Sequence, residues 1–211
     1  MQILYLDTVD STQKYLKNLL KDKRVNLPYA VVSNIQTKGV GSRDNFWHSL
    51  EGNLFLSFAI ELKNLPKDLK IESSSIYFAY ILKNTLNELG SEVWLKWPND
   101  FYLDDKKIGG MITNMIDNVL ICGVGLNILT SPKGFSKLDI NISRELLLNN
   151  YFSNIAKNFS WKEVFSKYEL EFENNKNFFT HSKSLRISLE NAKLLSDGSV
   201  ISNGERIYST R

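Results

Sequence analysis

The sequence predicts an α+β protein: a mixed β-sheet flanked by helices, followed by a small β appendage. Runs rich in Val, Ile, Leu and Phe alternate with segments whose apolar residues recur at helical spacing. Glycines and polar turn pairs, such as Gly90, Asp197-Gly198 and Asn203-Gly204, punctuate those runs. At 211 residues, of which 43% are hydrophobic and 12% aromatic, the chain can bury one generous core with a little to spare. The division expected is residues 1–179 for the main domain and 180–211 for the appendage.

Ile3 to Leu6 reads as a short strand. Asp10 then offers an N-cap with Gln13 three residues on, and Tyr15, Leu16, Leu19 and Leu20 carry a first helix to about Asp22. Tyr29 to Ile35 and Asn53 to Leu62 are strands bounded by polar or Gly segments. From about Ser73 to Leu89 a broad apolar face, with Gly90 where a left-handed cap belongs, gives a second helix. Glu92 to Trp97, Lys107 to Met115 and Val119 to Leu129 are further strands. Pro98 ends the first of them, because proline cannot donate to a central ladder and biases Trp97 to extended backbone. Asp104-Asp105-Lys106 is a polar hairpin turn. Ser160 and Glu163 form a capping box for a last long helix marked by Trp161, Val164, Phe165, Tyr168 and Phe172. Beyond about Phe179, Leu185 to Leu189, Ser199 to Ser202 and Arg206 to Tyr208 read as short strands joined by tight turns.

Bulk properties exclude several classes. A net charge of +3, from 26 basic and 23 acidic residues, lacks the marked basic excess of a phosphate-tracking surface. The single cysteine, Cys122, cannot form an internal disulfide, which favours a reducing compartment. The N-terminus meets Asp7 and Asp10 before any sustained apolar run and has no basic leader. The longest apolar stretch, Val119 to Leu129, falls short of the roughly 20 residues of a membrane helix. A soluble cytoplasmic protein without membrane attachment is expected.

Three segments carry chemical potential. Gly39 and Gly41, with Ser42, Arg43 and Trp47 behind them, are either a turn or a loop that wraps an anion, since glycine permits positive φ and close approach of backbone. Lys96-Trp97-Pro98-Asn99-Asp100 places a cation and two amide or acid groups at a strand end. Asp100 could serve Mg²⁺, which takes one or two carboxylates plus phosphate oxygens, or the segment is simply an Asx turn. Lys107 precedes Gly109 and Gly110, which leave room for a phosphate or carboxylate against the sheet. Gly123 and Gly125 clear one face of a strand beside Asn127, which offers both a donor and an acceptor.

Asp10-Ser-Thr-Gln, Gln36-Thr-Lys-Gly-Val-Gly-Ser-Arg, Trp47, Asn53-Leu-Phe-Leu-Ser, Lys96-Trp-Pro-Asn-Asp-Phe-Tyr, Lys107-Ile-Gly-Gly and Gly123-Val-Gly-Leu-Asn, in this order, resemble the biotin protein ligase family over about residues 7 to 130. Lys-Trp-Pro-Asn-Asp followed by Lys-x-x-Gly is the specific part; the C-terminal remainder fits more loosely. The resemblance implies a catalytic core related to lipoate ligases and class II aminoacyl-tRNA synthetases, with an SH3-like appendage. It implies that biotin and MgATP give biotinyl-5'-AMP, and that biotin then passes to a lysine of a biotin carboxyl carrier domain. On the same basis Ser11, Thr12 and Gln36 would hold the ureido ring, and Gly39 to Arg43 would close over the ligand. Trp47 would order that loop or pack on the adenylate. Lys107 would bind carboxylate and α-phosphate oxygens, with Lys96, Asn99 and Gly110 in the same mouth. Asn127 would face the nucleotide, and Asp100 would assist Mg²⁺ or the incoming amine.

One departure stands out. The family's loop commonly reads Gly-Arg-Gly-Arg-Arg-Gly, and here Val40, Ser42 and Asp44 replace two arginines and the last glycine, so Arg43 alone remains to seal the intermediate. The Asp-Ser-Thr block begins at residue 10, so the helix-turn-helix of longer members, and with it specific DNA binding, is not expected. A homodimer stays open. The rival readings are a lipoate or octanoate protein ligase, disfavoured by Trp-Pro-Asn-Asp, and a biotin sensor without catalysis, disfavoured by the joint presence of Lys107, Asp100 and Asn127.

Overall fold

The computed structural model describes residues 1–41, 45–182 and 185–209. In chain order they form β1 (Gln2–Val9), α1 (Thr12–Lys21), β2 (Tyr29–Gln36), the short strands β3 (Gly39–Val40) and β4 (Phe46–Trp47), β5 (Leu54–Glu61) and α2 (Ser74–Glu88). Next come β6 (Trp94–Lys96), β7 (Asp100–Leu103), β8 (Lys106–Ile116), β9 (Val119–Leu126), α3 (Arg144–Ala156) and α4 (Trp161–Glu171). The C-terminal strands are β10 (Phe179–Ser182), β11 (Leu185–Ser188), β12 (Lys193–Leu194), β13 (Val200–Ser202) and β14 (Glu205–Ile207).

Seven strands make one sheet in the order β1-β2-β5-β9-β8-β7-β6. Only β1 and β2 run parallel, joined by the α1 crossover; every other neighbour is antiparallel. The mixed sheet expected from sequence is therefore what the chain builds. Its two faces follow the period of two in the side chains. Leu54, Leu56, Phe58 and Ile60 of β5 join Leu120, Cys122, Val124 and Leu126 of β9 in the main core under α2. Ala59 and Ile121 face the other way, with Val31, Leu16 and Leu19 under α1.

The helix α2 is buried on nearly every side because α3 and α4 cover what the sheet does not. Tyr151 donates to Phe78 O at 3.0 Å, and Tyr77 to Phe159 O at 2.7 Å, so both hydroxyls are satisfied inside the core. Gly90, at φ +98, ends α2: its N–H reaches Asn87 O, and Ser91 N–H reaches Leu86 O, the paired bonds of a Schellman cap. The capping box of Ser160 and Glu163 is present.

Two local expectations need correction. The cap of α1 is Ser11, not Asp10: Ser11 O accepts the first helical bond from Tyr15 N–H, and its hydroxyl accepts from Lys14 N–H. Asp10 instead accepts from Ser11 N–H at 2.8 Å and pairs with Lys14 at 2.9 Å, and Gln13 plays no part in a capping box. The helix α3 carries no element in the sequence reading. Its buried residues Leu147, Leu148, Tyr151 and Asn154 sit in an asparagine-rich run of weak periodicity, and only packing on α2 makes it a helix.

At the C-terminus β10 and β11 form a ribbon, and β12, β13 and β14 a three-stranded sheet. Asn203 and Gly204 both take positive φ, as the two-residue turn from β13 to β14 demands. Leu189, Leu194, Val200 and Ile207 of this region enter the same core as α2. Among the described residues no helix is long and apolar enough to cross a membrane.

Phe58 is fully buried and meets Phe78, Tyr151 and Phe152 edge-on at 5.3, 5.9 and 6.0 Å. Phe58→Ala is expected to cost about 3–5 kcal/mol in urea unfolding, as large-to-small changes at such sites do.

Candidate active site

On the α1 side of the sheet a cleft of about 500 Å³ opens over β5, β8 and β9. Its floor is lined by Ser57, Gly110, Gly123 and Gly125, small residues placed in cross-strand register, with Ile112 beside them. Ser57 faces Gly123, which faces Ile112, and in the next row Phe55 faces Gly125, which faces Gly110. One wall is the start of α1 with Ser11, Thr12, Gln13 and Gln36, the opposite wall is Asn99, Asp100 and Lys107, and Val40, Gly41 and Trp47 form the roof.

Each wall is braced. Gln36 Oε1 accepts from the backbone N–H of Thr12 at 2.8 Å and from its hydroxyl at 3.0 Å, tying the end of β2 to the first turn of α1. Thr12 Oγ1 also lies 2.9 Å from Ser57 Oγ on the floor. Opposite, Lys107 Nζ donates to Asp100 Oδ1 at 2.6 Å, and Lys96 Nζ stands 3.8 Å from Asp100 Oδ2 and 5.7 Å from the centre of the Tyr102 ring. Burial, and then the charge of Asp100, push the Tyr102 hydroxyl up to about 12, so it stays protonated beside that ion pair. A Cβ at Gly110 would come within 3.0 Å of Asp100 Oδ1, so this glycine leaves the ion pair its space.

The glycines of the roof work by close approach and not by positive φ. Neither Gly39 nor Gly41 adopts the left-handed region, but a Cβ at Gly39 would lie 2.6 Å from Trp47 O across the β3 to β4 pairing. Gly125 does the same beneath the roof: its Cβ would stand 2.5 Å from Trp47 Cε2, so the approach its sequence implied is that of an indole. Trp47 meets Phe135 edge-on at 6.4 Å.

Several expected residues lie elsewhere. Asn127 is buried, donates to Ser136 O at 3.1 Å and accepts from Asn53 at 3.4 Å, so it does not line the cleft. It works with Asn53, whose Oδ1 receives the backbone N–H groups of Ile128, Leu129 and Thr130, to fix the segment after β9. Gly39 supports the roof without lining the cleft, and Lys96 stands behind Asp100. Ser42, Arg43 and Asp44 lie outside the described residues. Burial pushes the Cys122 thiol up, which leaves it inert on the far face of β9.

Gln13 is one of the lining residues to which sequence alone gave no site role, with Ser57, Met111 and Ile112 among the others; its spacing from Asp10 suggested a cap. Its Nε2 is buried with no partner, as are Trp47 Nε1 and Asn99 Oδ1, and all three belong to lining residues. Asp100 is the one acidic residue lining the cleft among the described residues. With an ammonium group near each of its oxygens, Asp100 does not fit a Mg²⁺ site held by the protein.

Residues 5–129 match the model of the biotin/lipoate A/B protein ligase family. The chain belongs to this family. Two relatives within reach are the bifunctional ligase/repressors BirA of Bacillus subtilis and Escherichia coli. The first is 30% identical over 140 residues, 63% of this chain and 42% of that protein; the second is 29% identical over 132 residues, 59% and 40%. The chain thus spans about two fifths of the length of the curated relatives it matches. A crystal structure of the biotin acetyl coenzyme A carboxylase synthetase from Helicobacter pylori, with bound biotinylated ATP, superposes with a TM-score of 0.94 at 38% identity, covering 98% of this chain and 99% of that one. The biotin protein ligase from Aquifex aeolicus, in complex with biotin and ATP, shares the fold with a TM-score of 0.73 at 24% identity, covering 100% and 99%. The matched residues 5–129 run from β1 to just past β9, so they contain every segment that lines the cleft.

Gly125→Ala is expected to lift the indole of Trp47 from β9 and shift tryptophan emission to the red, a shift that should vanish in a Trp47→Phe background. The overpacking should cost about 1–3 kcal/mol in unfolding experiments.

Proposed function

We propose that the chain is a biotin protein ligase. It activates biotin with MgATP to biotinyl-5'-AMP and transfers the biotinyl group to a lysine of a biotin carboxyl carrier domain. The observation that carries biotin over lipoate is the set of buried polar atoms without partners on the cleft walls: two donors, from Gln13 and Trp47, and one acceptor, from Asn99. A ureido ring offers a carbonyl to donors and two N–H groups to an acceptor. A dithiolane offers neither, and each buried group left unpaired costs about 1–3 kcal/mol.

In the first half-reaction a carboxylate oxygen of biotin bonds to the α-phosphorus of ATP while the bond to pyrophosphate breaks. Anion meets anion, so the wall must supply positive charge where the reacting oxygens gather. Lys107 supplies it, fixed by Asp100 and given room by Gly110. Mg²⁺ belongs to the nucleotide substrate and not to the protein. Ser11, Thr12 and Gln36 shape the end of the cleft where Gln13 waits for the ureido carbonyl, and Gly41 and Trp47 cover the acyl chain. In the second half-reaction the carrier lysine amine attacks the acyl carbon, an amide forms, and AMP leaves. In this reading Asp100 takes the proton the amine sheds, with Lys96 balancing its charge.

Incubation with biotin, MgATP and a purified carrier domain should add one biotinyl group to the carrier by mass; a lipoyl gain, or none, would sink this reading. Lys107→Ala should slow biotin-dependent ATP–pyrophosphate exchange by about 10²–10³-fold, the usual loss when a preorganised electrostatic partner is removed. Gln13→Leu should raise the KM for biotin about tenfold or more in the same assay, with the turnover number much less affected.

A further inference from the structure

One turn of the C-terminal strands bonds to the residue that precedes the Asn99 and Asp100 wall of the cleft. Between β12 and β13, Leu195 N–H donates to Ser199 O and Gly198 N–H to Leu195 O, both at 2.8 Å. Three successive carbonyls of this turn are caught by three separate donors of the main body. Ser196 O accepts from Trp161 Nε1 at 2.8 Å, Asp197 O from Ser73 Oγ at 2.6 Å, and Gly198 O from Trp97 Nε1 at 2.8 Å. Gly198 takes φ +76, and a Cβ there would stand 2.8 Å from Ile76 Cδ1 and 3.2 Å from Trp161 Cη2, so no side chain fits. The side chain of Asp197 closes the turn from within, accepting from Ser199 N–H and Oγ and pairing with Arg206.

These donors differ in what they adjoin. Ser73 is the N-cap of α2 and Trp161 opens α4, and neither adjoins a lining residue in the chain, whereas Trp97 immediately precedes Pro98, Asn99 and Asp100. Trp97 is fully buried and does not line the cleft. Its backbone N–H also leaves the sheet, donating at 2.7 Å to Oδ1 of Asn175, a fully buried side chain whose Nδ2 donates to Phe172 O. Both N–H groups of Trp97 are therefore held by residues that follow α4. Two and three residues on, Asn99 O accepts from Met111 N–H at 2.9 Å and Asp100 carries Lys107.

We infer that Trp97, held by the 195–199 turn and Asn175, is a positioning residue that sets Asp100 and Lys107 for the chemical step. The C-terminal strands thereby act on catalysis without touching the substrate. This rests on the adenylating role given to the cleft.

Trp97→Phe removes the indole N–H together with one of the two fused rings, and Trp161→Phe makes the same cut at the neighbouring bond to the same turn. Both should lower the melting temperature. Only Trp97→Phe should lower kcat for biotin-dependent ATP–pyrophosphate exchange, by about tenfold or more, because small misplacements of reacting groups are costly. The KM for biotin should change much less than kcat, since Gln13, Thr12 and Gln36 lie on the opposite wall and Asn99 is held on both its backbone carbonyl and its side-chain amide by Met111. Unaltered kcat in Trp97→Phe, or an equal loss in Trp161→Phe, would overturn the inference and leave the ligase reading standing; wild-type protein without exchange would overturn both. Should Trp97→Phe not fold, Asn175→Ser, which withdraws the acceptor from Trp97 N–H, is judged against Trp161→Phe by the same criteria.

Discussion

The molecule depends on one constraint: its central antiparallel strands must be bulky on one face and nearly bare on the other. On β5 and β9 the period of two sends Leu56, Phe58, Cys122 and Val124 into the core under α2. The residues between them, Ser57, Gly123 and Gly125, fall on the cleft side in register with Ile112 and Gly110 of β8. A one-residue slip in register would exchange the faces, filling the cleft and emptying the core. Substrate space and folding stability are therefore set by the same hydrogen-bond ladder, and neither can be altered without the other.

The walls of the cleft are fixed by bonds that leave selected groups unused. Gln36 spends its carbonyl on Thr12, and Asp100 spends an oxygen on Lys107, which immobilises both sides before any ligand arrives. Gln13, Trp47 and Asn99 each keep one buried polar atom without a partner. Orphaned buried groups destabilise the empty protein, and that penalty is relieved when a ligand of matching polarity enters. On the proposed reading the charged wall answers a different need, because joining a carboxylate to a phosphate requires cations held in place and not gathered from solvent.

The chain on its own determined the order of most elements and pointed to the residues of the proposed chemistry. Alternation placed the strands, Gly90 and the Ser160 to Glu163 box ended or opened helices, and Asn203-Gly204 fixed a hairpin. These signals are local, carried by a few adjacent residues acting on their own backbone. Lys107, Asp100 and the paired glycines were also visible as a cluster of charge and missing bulk. Even there the purpose of a glycine was not local: Gly125 clears space for Trp47, 78 positions earlier in the chain.

Tertiary structure alone decided which polar side chains were spent on the fold and which were kept for a ligand. Asn127 and Gln13 look alike as isolated amides, yet packing consumes the first in holding the segment after β9 and leaves the amide nitrogen of the second without a partner at the cleft. The helix α3 and the grip of the 195–199 turn on Trp97 belong to the same category. Each joins residues far apart in sequence, and no periodicity or cap can announce such a contact, because its energy exists only once the distant surface is in place.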